Sequence, residues 1–300
     1  MSHADPLFIL APPRSFTSIV CGMIGQHPEL YGLPEVNLFA GDTLAELGKW
    51  HGVRRRLRHG LLRAVAELGL GGQDEASIEM ADAWLLQHTG DETTPGATTG
   101  QIYRDLMAWA GPRRLVDKSP IYVIDDMALE RIYCEFPGAR FIHMTRHPYG
   151  TCKSMLGLRD YVQKAGGFAA GGSLDPDKFW LKPHARVKEF LDSVPAAQWV
   201  RLRGEDLMAD PRLYLPQIAE WLGIRTDAGA INAMLHPETS AFACMGPPNA
   251  KFGNDPSFME GPVLRPYKAA PASMNDPLPE GVEGSYSEAL RYYAALFGYR

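Results

Sequence analysis

A chain of 300 residues, 45% hydrophobic and 22% charged with both signs mixed, can bury one sizeable core or two small ones and is not a disordered polymer. Its net charge of −5 excludes a general nucleic-acid surface, so an anionic ligand would need a local cluster of positive groups.

The apolar run Leu7–Ala11 predicts a buried parallel strand. It stops at Pro12–Pro13, and Arg14 follows with a group of hydroxyls. Ser15, Thr17 and Ser18 offer N-cap chemistry ahead of the helical pattern Ile19, Val20, Met23, Ile24. A strand, a turn and a helix N-terminus in that order can seat a phosphate or sulfate, because unpaired N–H groups and the positive helix end face the space above the strand. An ordinary strand–turn–helix carries the same pattern. Residues 30–39, LYGLPEVNLF, lead into a mainly helical region over 40–111, with apolar spacing at Ile78, Ala81, Trp84, Leu85 and His88. The basic block Arg54, Arg55, Arg56, Arg58, His59 within it reads as a solvated helix face.

Leu115–Asp117 is a short strand, Pro120 suits a first helical position, and Ile121 to Phe136 predicts a helix. Ala139–Thr145 is a second buried strand, followed by a helix over Tyr149–Leu158. The Gly-rich stretch 165–174 predicts a mobile lid spanning 160–176. A helix to about Leu191, a third core strand at Gln198–Leu202 and helices around 211–222 and 227–235 come next. Residues 237–284 read as a wrapping loop, and Ser285–Phe297 as a closing helix. Strands alternating with helices predict an α/β fold around a mostly parallel sheet, one domain over 1–300 with 40–111 as a helical insertion.

The cysteines (Cys21, Cys134, Cys152, Cys244) show no CxxC pair and no metal-type spacing. The first three lie in apolar or helical contexts where buried thiols are usual. The N-terminal apolar run is too short for a signal sequence or a membrane span, so a reduced, cytoplasmic setting is expected.

The second strand ends at Thr145–Arg146–His147–Pro148, and the following helix carries Ser154. Arg146 at a strand's C-terminal end points into the crevice where open α/β sheets bind ligands, and an arginine with a serine suits a phosphate monoester. The pair therefore matches the anion seat at residues 12–18 with a second one.

These segments resemble the sulfotransferases that use 3′-phosphoadenosine 5′-phosphosulfate (PAPS). PPRSFTS at 12–18 is similar to that family's 5′-phosphosulfate loop, and TRHPYGTCKSM at 145–155 to its 3′-phosphate element, with Arg146 and Ser154 at the family's spacing. VDKSP at 116–120, LRGEDLMADP at 202–211 and KFGNDPSF at 251–258 also resemble recurring family segments, the last being similar to a C-terminal cofactor loop. The resemblance implies a P-loop-like three-layer fold, PAPS as co-substrate and no metal. It also implies cofactor contacts from Arg14, Ser15, Phe16, Thr17, Ser18, Arg146, Ser154, Lys251, Phe252 and Gly253. Many members carry glycine where this chain has Phe16, whose side chain would line the acceptor pocket or crowd the phosphosulfate.

The same resemblance implies that Arg14 and Lys118 place positive charge at the transferring group and the bridging oxygen. The base that accepts the acceptor's proton is Glu35 by similarity of HPELYGLPEVNLF to tyrosylprotein sulfotransferases; a first-turn structural glutamate is the competing reading. His184, just beyond the Gly-rich stretch, is the other candidate base. His143 and Asp206 read as structural. The expected acceptor is a hydroxyl of a small molecule or of a carrier-protein-bound chain, with Phe39, Tyr103, Phe168, Phe179 and Trp180 hinting at an apolar body. A small-molecule kinase is the catalytic alternative, weakened by the absence of GxxxxGK[ST]. An inactive nucleotide-binding protein is the non-catalytic one, with Phe16 as its motive.

Overall fold

The computed structural model describes residues 4–49, 52–91, 96–164, 174–267 and 273–300. Five strands, β1 (Leu7–Leu10), β2 (Leu30–Gly32), β3 (Arg114–Asp117), β4 (Arg140–Thr145) and β5 (Trp199–Arg203), form one parallel sheet in the order β2-β3-β1-β4-β5. The chain leaves β1 towards β2 and β3 on one side and leaves β4 towards β5 on the other. Connections therefore diverge above the C-terminal ends of β1 and β4, which is where an open α/β sheet leaves a crevice.

β1 is buried along its whole length because both faces of the sheet are covered. Its side chains alternate: Phe8 and Leu10 join Phe39, Tyr103, Tyr122 and Phe141 on one face. Leu7 and Ile9 join Val20, Ile24, Ile142, Leu207 and Leu215 on the other. Phe8 meets four rings at centroid distances of 5.8–6.2 Å, so Phe39 and Tyr103 complete the core and do not line an acceptor pocket. Trp180 is equally buried, and Phe168 lies outside the described residues.

The expected strands all form, with ends shifted by a residue; β2, three residues long, had no signal in the sequence. The expected helix over Ile121–Phe136 is broken in two, a single turn at Pro120–Val123 and a helix at Ala128–Glu135. The break has a cause in side-chain chemistry. Asp125 accepts the Met127 N–H at 3.0 Å, and the Arg186 guanidinium takes the Val123 and Ile124 carbonyls at 2.9 and 2.5 Å, so local partners replace the helical ladder. The helix carrying Ser154 runs from Pro148 to Lys164, longer than expected. Most of the stretch expected as a lid, 165–173, lies outside the described residues. Residues 237–284 contain short helical turns at Pro237–Thr239, Pro248–Ala250 and Pro256–Glu260. Cys134 is exposed, against expectation, while Cys21 and Cys152 are buried.

Candidate active site

The loop leaving β1 turns sharply into helix α1 (Thr17–Ile24), and both Arg14 (φ 70) and Phe16 (φ 63) stand in the left-handed region. For residues with a Cβ this costs about 1–2 kcal/mol each, a strain that collects at functional sites. No side chain caps α1: its N-cap is Phe16, and the expected capping by Ser15, Thr17 or Ser18 does not occur. The first-turn N–H groups are thus left for a ligand, and the Ser15 hydroxyl is buried without a partner.

These groups line a cavity of about 360 Å³ together with Arg146 and Ser154. The elements that carry them are far apart in sequence but share the sheet's C-terminal edge. Arg14 Nε donates to Ser154 Oγ at 3.0 Å, and Arg146 Nη1 donates to the Arg14 carbonyl at 2.7 Å. The Arg146 carbonyl in turn accepts from Trp180 Nε1 at 2.7 Å. Burial lowers the pKa of both guanidiniums, and the proximity of Arg146 lowers that of Arg14 further. Arg146 Nε has no hydrogen-bond partner. Two crowded, partly desolvated cations with unspent donors favour an anion of more than one charge. Asp255 is a carboxylate that touches them: it pairs with Arg14 and accepts the Ser257 N–H at 2.8 Å.

Phe16 lines this cavity beside Arg14, Ser15 and Thr17. Its ring centroid is 4.2 Å from Arg146 Cζ and meets Tyr267 edge-on at 5.1 Å. A cation–π contact of about 0.5–2 kcal/mol offsets the backbone cost of a side chain in this conformation. Gly204, at the end of β5, leaves the room: a Cβ there would sit 2.6 Å from Phe16 Cδ2.

A second cavity, of about 390 Å³, shares Arg14, Thr17, Ser18 and Asp255 with the first. Its other walls include Leu57, Pro120, Ile121, Ile124 and Leu158, with Glu35, Asn37 and Asn254 as further polar groups. Lys118, just after β3 and 1% exposed, bridges the two sides: Nζ donates to Ser18 Oγ at 2.8 Å and to Glu35 Oε1 at 2.5 Å. A buried ammonium needs such partners, and the Glu35 side chain, 24% exposed, still faces the cavity.

The Glu35 segment is pinned from three directions. Glu35 N–H donates to the Gly253 carbonyl at 2.6 Å, where Gly253 has φ 120, a conformation side chains rarely adopt. Asn37, itself left-handed at φ 54, donates from its backbone to Ser119 Oγ at 3.0 Å and from Nδ2 to the Glu35 and Leu57 carbonyls at 3.1 and 2.9 Å. Ser119 donates onward to Asp117 at 3.0 Å, and Tyr122 OH donates to the same carboxyl at 2.9 Å. Burial pushes the Asp117 carboxyl up to about 7.

Among the candidates from sequence, the structure brings together Arg14, Ser15, Phe16, Thr17, Ser18, Glu35, Lys118, Arg146 and Ser154. It does not bring His184. That imidazole is fully buried, its Nδ1 2.9 Å from His143 Nε2 and its ring packed between Trp180 and Phe297, with its pKa pushed down to about 3 by burial. A ring with no route to either cavity cannot take an acceptor's proton. Lys251, Phe252 and Gly253 also miss both cavities. Phe252 stacks on His59 and accepts from Arg63, Lys251 is exposed, and Gly253 supports Glu35. The next residues, Asn254 to Ser257, are the ones that reach the cavities. Sequence reading missed Asp255, Arg265, Tyr267 and Gly204. The KFGNDPSF resemblance signalled the right segment with the contacts three residues too early; Gly204 lies in the LRGEDLMADP segment without being singled out, and nothing signalled Tyr267.

Residues 6–228, most of the chain, match the model described as the sulfotransferase family. The chain belongs to that family. The sulfotransferase domain from the curacin biosynthetic pathway has the same fold, with a TM-score of 0.72 at 21% identity over 100% of this chain and 99% of that one. The sulfotransferase domain of the Synechococcus PCC 7002 olefin synthase also gives a TM-score of 0.72, at 26% identity over 100% and 98% of the two chains. Nodulation protein NoeE of Sinorhizobium fredii is 30% identical over 152 residues, 49% of this chain and 30% of that protein, so the match spans under a third of its length. The P-loop-like α/β fold of this sulfotransferase-family enzyme is thus shared with bacterial members. Among the described residues, no helix is long and apolar enough to cross a membrane.

Proposed function

We propose that the protein transfers a sulfuryl group from PAPS to a hydroxyl of a small-molecule or carrier-bound acceptor, with Glu35 as base. The observation that carries this reading is Lys118, whose ammonium joins Ser18 on the anion loop to Glu35 in the neighbouring cavity. The residues present fit the donor: an unpartnered Ser15 hydroxyl, an uncapped helix end and an unsatisfied Arg146 Nε are groups that await an anion. When bound, PAPS supplies the sulfuryl group and a phosphate leaving group. Arg14, Lys118 and the N–H groups at the start of α1 would hold the 5′ end and stabilise negative charge on the departing oxygen. Arg146 and Ser154 would hold the 3′-phosphate.

Glu35 would accept the proton of the acceptor hydroxyl, and Lys118, bound to its Oε1, would hold the carboxylate in position for it. The aliphatic walls from Leu57, Ile121, Ile124 and Leu158 keep water from the same position. Those walls favour an alcohol with an apolar body.

Calorimetry with adenosine 3′,5′-bisphosphate tests the donor assignment. Micromolar binding, with ATP much weaker, is expected; no binding of the bisphosphate while ATP binds would overturn the sulfotransferase reading in favour of a kinase.

A further inference from the structure

Phe16 places a large side chain where the backbone favours glycine, with φ 63 and ψ 6. The ring is only half-buried, packed at the edge of the core, and it makes no cap for α1. It makes three contacts instead. Its face lies 4.2 Å from Arg146 Cζ, its neighbour Tyr267 stands edge-on at 5.1 Å, and Gly204 leaves the space that its Cδ2 fills.

Arg146 needs such a contact. Nη1 donates to the Arg14 carbonyl and the Tyr267 hydroxyl pairs with the same guanidinium, while Nε has no acceptor. Such contacts at the edge of a planar group leave its face unsupported. A ring under the plane supplies that support, because the cation–π attraction is strongest face-on. The remaining N–H edge is then held towards the cavity.

We propose that Phe16 is a positioning residue for Arg146, orienting its guanidinium towards the 3′-phosphate end of the donor cavity, and that Gly204 is its obligatory partner. The inference rests on the reading of Arg146 as holder of a 3′-phosphate. It makes positions 16 and 204 a coupled pair: a side chain at 204 displaces the ring, and a glycine at 16 makes the size of residue 204 irrelevant.

The test is the affinity ratio of adenosine 3′,5′-bisphosphate over adenosine 5′-monophosphate, measured by calorimetry on the full chain. Phe16→Leu keeps a side chain of similar size and the same backbone strain, so it folds like the parent while losing the π face; matched thermal melts check this. F16L is expected to lower the ratio about tenfold with the monophosphate affinity within about twofold. Phe16→Tyr retains the parent ratio. Gly204→Ala lowers the ratio as F16L does, and adds nothing further in a Phe16→Gly background. A ratio within about twofold of the parent in F16L, or a full G204A effect in the F16G background, would overturn the inference. A parent protein that does not distinguish the two nucleotides would instead overturn the role of Arg146, a different and recognisable failure.

Discussion

The cavity beside Arg146 and the cavity beside Glu35 are close in volume, about 360 and 390 Å³, and share Arg14, Thr17, Ser18 and Asp255. Their remaining walls differ. The first adds Arg146, Ser154 and the buried Ser15 hydroxyl beside Phe16, Met208, Phe258 and Tyr267, with left-handed backbone at Phe16. The second adds aliphatic side chains with Glu35, Asn37 and Asn254, and has left-handed backbone at Asn37. Both sides carry strain, but the donors without a partner, Ser15 Oγ and Arg146 Nε, collect on the first, where an anion can satisfy them. Lys118 marks the boundary between the two, its buried ammonium bound to Ser18, which lines both, and to Glu35, which lines the second.

Removing that boundary has the largest expected effect. Lys118→Met leaves Glu35 and Ser18 without their shared partner and is expected to lower kcat by roughly 10²–10³-fold, read from steady-state turnover, with a smaller change in donor affinity. An equal loss of kcat and donor affinity would show Lys118 to be a ground-state ligand only.

The next effect separates the fold from both cavities. His143 and His184 are buried and neutral, with pKa values pushed down by burial. The unfolded chain takes up protons near pH 6.5 that the folded one refuses, so stability falls as pH drops below that value. Asp117, pushed up to about 7, works in the opposite sense: folded, it stays protonated where the unfolded chain has ionised, so its contribution is lost as pH rises through the same range. His59 and His147, both lowered to about 4, add in the same direction as the two buried imidazoles, so four imidazoles against one carboxyl leave a net loss of stability between pH 6.5 and 5, measurable by urea denaturation. Stability that does not fall in that window would mean the imidazoles are not held neutral.

Ile124 lines the apolar cavity and is 53% exposed, so Ile124→Glu is tolerated by the fold. It is expected to raise the acceptor KM about tenfold with donor affinity unchanged, because a charge is set against an apolar ligand. A matching loss of donor affinity would erase the distinction between the two sides. The smallest effect belongs to Asp255, which competes for Arg14 while capping the turn at Pro256–Glu260. Asp255→Asn keeps the cap and removes the competing charge, so bisphosphate affinity should rise by about threefold in calorimetry. A fall would make Asp255 a donor-side ligand.

Sequence and structure agree where one local pattern carries the information. Leu7–Leu10 and Arg140–Thr145 are apolar runs closed by arginines, and both the strands and the anion seat could be read from them. Glu35 and Lys118 were legible only through family resemblance, since no periodicity marks a Pro-flanked loop. Asp255 and Arg14 meet across 241 residues, from a segment rich in Pro, Gly and Asn that has no spacing to read. His184 misled for the same reason: its helical context gave no sign that His143, 41 residues earlier, would bury it. Phe16 was visible as an anomaly, and its explanation required Gly204, which sequence adjacency cannot supply.

The assignment of Glu35 as base is tested most directly by turnover of Glu35→Gln beside calorimetry with adenosine 3′,5′-bisphosphate. The amide keeps the size of the side chain and a weaker contact to Lys118 while losing the ability to take a proton. Turnover is expected to fall by roughly 10²–10⁴-fold with bisphosphate affinity within about threefold. Turnover within tenfold of the parent would contradict Glu35 as the base.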